Sequence, residues 1–163
     1  MSRWIGLSGM FIGAVGIFLG FYYLGAEPGL SLEIVTVTTV GLVGVLAFVR
    51  HFFFHESDAR RLGWETDRPE WAWEVGFANL AFGAMGLLAV FARLGTQAQA
   101  LAVLGYAIYL MQAAALHGTQ YVREGKRSPE KLWRIVLGTA WFAALMAFFA
   151  LKALLGTPIG VWS

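Results

Sequence analysis

The sequence predicts an all-α integral membrane bundle of five transmembrane helices, and three observations lead there. The chain has 163 residues, of which 58% are hydrophobic and only 13% charged, where soluble domains carry about 25% charged residues. Its mean hydropathy is +0.64. Five apolar stretches, at about 4–25, 31–55, 71–94, 98–122 and 132–155, each reach the roughly 20 residues that cross a hydrocarbon core. All five belong to a single membrane domain spanning residues 1–163.

The first stretch starts too near Met1 for a basic leader and lacks a prompt small-residue cleavage site. It therefore reads as a retained helix rather than a signal peptide. Its GLSGMFIGAVGIFLG places Gly6, Gly9, Gly13, Gly16 and Gly20 on one face, a glycine zipper. Such a face suits either a neighbouring helix lying flush against it or a flat cofactor pressed on bare backbone. GAEPGLS then turns the chain at Pro28 and Gly29, with Ser31 as the expected cap of the second helix. That helix ends in Arg50-His-Phe-Phe-Phe-His-Glu56, and the polar ESDARRLGWETDRPE comes next, with Pro69 at the start of the third helix. RLGTQ is a tight link to the fourth helix. REGKRSPEK leads to the fifth, with Ser128-Pro129-Glu130 as a capped start. The fifth helix, FAALMAFFALKALLG, reads as lipid-facing with Lys152 snorkelling outward.

Lys and Arg set the orientation. Arg3, Arg50, Arg60, Arg61, Arg68, Arg123, Lys126, Arg127, Lys131 and Arg134 fall on one side, and only Arg93 and Lys152 on the other. Ten against two places the N-terminus in the cytoplasm and the C-terminus outside a bacterial inner membrane. Trp4, Trp64, Trp71, Trp73 and Trp133 fall at the inner interface and Trp162 at the outer. The absence of cysteine excludes disulfides and thiolate metal sites. No phosphate loop, nucleophile motif or nucleic-acid module is present, so the partners expected are the lipid bilayer and other membrane subunits or copies of the chain, with no nucleic acid.

One polar layer stands out. His51 and His55 close the second helix, Glu70 and Glu74 open the third, and His117, Gln120 and Tyr121 close the fourth, all at the same depth. Ionisable groups within spans suggest function. Imidazole and carboxylate are ligands for zinc, iron, manganese or copper, which makes His51, Glu74 and His117, with His55 peripheral, a candidate metal site. His51 and His117 are alternatively a haem pair. The same residues also fit a proton or substrate relay, or a structural cluster without ligand. The functional readings are therefore a metal- or haem-binding membrane protein, a non-catalytic accessory subunit of a larger complex, or a small carrier or enzyme acting on a lipid or quinone, with Glu74 and His117 as acid and base. Deeper in the third helix, Asn79 needs a partner, expected in Gln112 or Tyr109. Glu33 is expected at the outer interface.

His51, Leu62-Gly-Trp64, Glu74-Val-Gly-Phe-Ala-Asn79-Leu80 and His117 together resemble an uncharacterised family of small bacterial polytopic membrane proteins. The resemblance covers about half the chain and implies His51, Trp64, Glu74, Asn79 and His117 as family positions, with His55 left out. DRPEWAW before the glutamate and YVREGKRSPEK after the second histidine depart from the family's pattern. The family has no established activity, so the resemblance implies positions and names no reaction.

Overall fold

The computed structural model describes residues 1–62, 69–123 and 132–156. Its helices are α1 (Ser2–Tyr23), α2 (Pro28–Phe53), α3 (His55–Leu62), α4 (Glu70–Phe91), α5 (Thr96–Arg123) and α6, a short π segment (Leu132–Leu137) leading into Gly138–Gly156. No strand occurs among the described residues. Five helices are long and apolar enough to cross a membrane. Large apolar side chains such as Phe11, Phe18, Phe77 and Phe91 stay exposed on the bundle's outside, the surface that meets lipid.

Helix α2 is the hub and packs against α1, α4, α5 and α6. It opens at Pro28, whose missing N–H costs nothing in a first turn. Ser31 therefore lies inside the helix instead of capping it, and its hydroxyl donates across to the Gly20 carbonyl of α1 at 2.7 Å. Midway, residues Thr36–Leu42 widen into a π segment. Three hydroxyls compete with the backbone there: Thr36, Thr38 and Thr39 donate to the carbonyls of Leu32, Ile34 and Val35 at 2.7, 2.6 and 2.7 Å. Such back-bonding bends helices, and one extra residue in the turn rotates the rest of the helix by about 100°.

Beyond that bend α2 and α4 meet backbone to backbone. A Cβ on Gly44 would stand 2.8 Å from the Asn79 carbonyl oxygen and 2.9 Å from the Gly83 Cα. The glycine face of α1 receives α2 and α6: Gly13 faces Phe142 and Val43, Gly16 faces Thr38, and Gly20 faces Val35 and Phe149. Close helix packing, the first of the two readings of that face, accounts for these three glycines.

The fifth span departs from the lipid-facing expectation. Ala143, Met146, Phe149 and Ala150 are buried in the main core with Val103, Tyr106 and Ala107 of α5. Composition hid this face because α6 is apolar all round, and only packing against α5 distinguishes one side from another. Lys152 is exposed, as expected. Arg93 adopts a left-handed backbone (φ 53°) in the link after α4, and Gly95 lies just beyond it at φ 88°, a conformation that glycine takes without a Cβ clash.

Candidate functional site

The polar layer forms around a helix break. α2 stops at Phe53, because Phe54 leaves helical geometry (φ −120°, ψ 27°). The chain turns into the eight-residue α3, an element expected from sequence to be part of a loop. Glu56 and Asp58 occupy its first turn, where carboxylates favour the helix dipole. Glu56 pairs with Arg60 at 3.0 Å on the exposed side. His55 turns back on the break, its Nδ1–H reaching the Phe52 carbonyl at 3.1 Å and its ring standing edge-on to Trp73. The two histidines therefore do not share a helix face: His55 belongs to the turn and His51 to the interior.

The partner of His51 is Asp58. The His51 Nδ1 lies 3.1 Å from Asp58 Oδ2, and both residues are buried. Arg50 completes the group, with Nη2 2.8 Å from His51 Nε2 and Nε 3.4 Å from Asp58 Oδ2. A guanidinium only donates and a carboxylate only accepts. Nδ1 therefore carries the hydrogen and Nε2 offers its lone pair to Arg50. Next to this group the Ser2 and Ser57 hydroxyls share a hydrogen bond of 2.8 Å, which docks α3 on the start of α1.

That docking is directly testable because the chain contains no cysteine. Oxidised Ser2→Cys/Ser57→Cys is expected to lose both titratable thiols. It should gain stability of about 4 kcal/mol from closing so long a loop, read as a higher melting temperature that falls again with reductant. Two thiols persisting after oxidation would mean that α3 does not dock this way.

The remaining candidate residues lie apart from this group. Glu74 is exposed on α4, as is Glu70. The α4 face that meets His51 carries Gly76, where an added Cβ would come 3.6 Å from the His51 Cβ. Two residues earlier, Glu74 is turned by about 200° and points away. His117 is half-buried on α5, with Nδ1 3.3 Å from Gln120 Oε1, and it lies within electrostatic reach of Arg50 and Asp58. Among the described residues no three His, Asp or Glu side chains come together to hold a metal ion. Both nitrogens of His51 are engaged, and a bound cation would stand against the Arg50 guanidinium. The donor set His51, Glu74, His117 and His55 is thus not brought together, because α4 turns its glycine face inward and α2 breaks before His55.

Deeper, Asn79 has the partner expected in Tyr109 and another that was not anticipated. Its Nδ2 donates to Tyr109 Oη at 3.2 Å and to the Val75 carbonyl at 2.7 Å, and its Oδ1 accepts from the Tyr106 hydroxyl at 2.6 Å. Gln112 is exposed. Tyr106 and Tyr109 stack nearly parallel, 5.9 Å apart and inclined at 11°, with Phe82 beside both. The Asn79–Tyr106 pair thus forms a second polar group near mid-span, separate from Asp58 at the helix break.

Sequence reasoning missed Asp58 and Tyr106. Asp58 sat in a polar segment that looked like solvated loop, and no periodicity carries across a helix break. Tyr106 had a usable signal, since it shares a face with Tyr109 three residues on. Trp64, Arg68, Lys126, Arg127, Lys131 and Trp162 lie outside the described residues.

Neither a curated protein nor a solved structure matches the chain. One family model does, and it takes in α2 and the four helices after it but not α1. With residues 27–155 matched, the chain belongs to DUF6790, a family of unknown function.

Proposed function

We propose that this protein handles protons at the basic end of its bundle, passing them between water and the membrane interior. The observation that supports this reading is the pairing of Asp58 and His51, from α3 and α2, with one guanidinium, Arg50, with His117 of α5 within reach of their charges. Interacting ionisable groups titrate as a unit rather than singly, and such groups inside spans mark proton relays. Further inward, Tyr109, Asn79 and Tyr106 form a second hydrogen-bonded polar group. By the positive-inside rule this end faces the cytoplasm of a bacterial inner membrane.

The test is histidine-labelled NMR of the protein in nanodiscs. The His117 titration midpoint is expected to move in Asp58→Asn and in Arg50→Gln. Proton entry into liposomes under an imposed pH gradient should fall severalfold in the same variants. A His117 titration indifferent to both substitutions would sink the reading. Stoichiometric metal or haem in the purified protein would instead favour a centre on His51 and His117, which requires Arg50 to move away.

A further inference from the structure

Eight polar or charged side chains are buried among the described residues, and seven of them have a hydrogen-bond or ion-pair partner. Gln99 is the exception. It is 6% exposed, and among the described residues nothing donates to its amide or accepts from it. Only its backbone is tied down, with the N–H reaching the Gly95 carbonyl at 3.2 Å. Buried polar groups rarely go without a partner, and one that the protein leaves unpaired marks a place for something else.

Gln99 sits one turn into α5, at the opposite end of the bundle from Arg50. Ala100 and Val103, close to it on the same helix, are fully buried in the core that also takes Leu32 and Val35 of α2. Helical Cα–Cβ bonds tilt toward the helix N-terminus. The side chain of Gln99 therefore leans toward Gly95, Thr96 and Gln97, all of them exposed. The slight opening left there reaches the amide, neither atom of which is sealed in by protein.

An amide carries donors on its nitrogen and an acceptor on its oxygen. It suits a neutral molecule that both donates and accepts, and it suits an ion of neither sign. With so little of the residue open, that molecule has the size of water. We propose that Gln99 holds an ordered water molecule behind the first turn of α5. Buried waters typically satisfy polar groups that the chain itself leaves unpaired. The proposal is independent of proton handling, since no atom of Arg50, His51, Asp58 or His117 enters it.

NMR of the whole protein, labelled with glutamine side-chain ¹⁵N, tests this. The chain has four glutamines, at 97, 99, 112 and 120, so four side-chain NH₂ signals are expected. Phosphatidylcholine nanodiscs are used because that headgroup carries no exchangeable proton to imitate water. The Gln99 signal is identified by its loss in Gln99→Met or, should that variant not fold, by replacing the other three glutamines in turn. Its protons should show cross-peaks to water of opposite sign in laboratory-frame and rotating-frame Overhauser spectra, the mark of a water that stays. Exposed Gln97 should show the same sign in both, as fleeting hydration does. Thr96→Val, which removes the hydroxyl three residues away as a relay, should leave the Gln99 cross-peaks intact. A Gln99 signal with no water cross-peak, with the Gln97 pattern, or with cross-peaks lost in Thr96→Val overturns the proposal.

Discussion

Gly44→Leu is expected to be among the most damaging single substitutions in this bundle. The glycine sits where α2 crosses α4, and a Cβ there would stand 2.8 Å from the Asn79 carbonyl oxygen and 2.9 Å from the Gly83 Cα. Both neighbours are backbone atoms, so no rotamer change relieves the clash and the two helices must separate. Overpacking typically costs about 1–3 kcal/mol, and a leucine against backbone belongs at the upper end. The separation would also carry Asn79 away from Tyr106 and Tyr109, adding the loss of that network. Thermal unfolding in mild detergent should show a melting temperature well below wild type, with Gly44→Ala intermediate. Gly9→Ala is the matched control, because a Cβ at that position meets nothing within 4 Å. If Gly44→Leu melts with Gly9→Ala, the α2–α4 crossing is not as described.

The second large effect is expected at Asp58. Its side chain is 2% exposed, compensates Arg50, itself 25% exposed, and lies 3.1 Å from His51 Nδ1. Asp58→Leu removes the negative charge that faces the Arg50 guanidinium and the His51 ring. Removing one member of a buried ion pair costs about 3–5 kcal/mol, and the partial exposure of Arg50 favours about 3. The double variant Arg50→Met/Asp58→Leu removes both charges and should recover to within roughly 1 kcal/mol of wild type. His51 then loses its contacts with Arg50 and Asp58, which limits full recovery. Unfolding midpoints of the single and double variants measure the coupling, and simple additivity of the two single effects would rule out a shared network.

These two sites differ in how far they could be read from the chain. Gly44 and Gly83 were visible as small residues in apolar spans, and small residues mark close helix contacts. Which glycine meets which could not be read, because the π segment at Thr36–Leu42 resets the phase of α2. The polar layer was legible in depth: His51, Glu74 and His117 were assigned to one level by counting from the helix ends. Depth along a span is set by length alone. The direction of a side chain around the helix is not, and there Glu74 turned outward while Gly76 took its place against His51.

What the amino-acid order determined by itself is the membrane-spanning all-α architecture with five spans and one Arg-rich end, because hydrocarbon thickness and the cost of burying charge act locally on each segment. The tertiary structure alone decided that His51 pairs with Asp58 across the break at Phe54, and that Asn79 takes Tyr106 as well as Tyr109. Those pairings depend on the rotation of one helix against another and on a turn without a periodic signature. Both emerge only when glycine faces, threonine back-bonding and side-chain volumes are packed together.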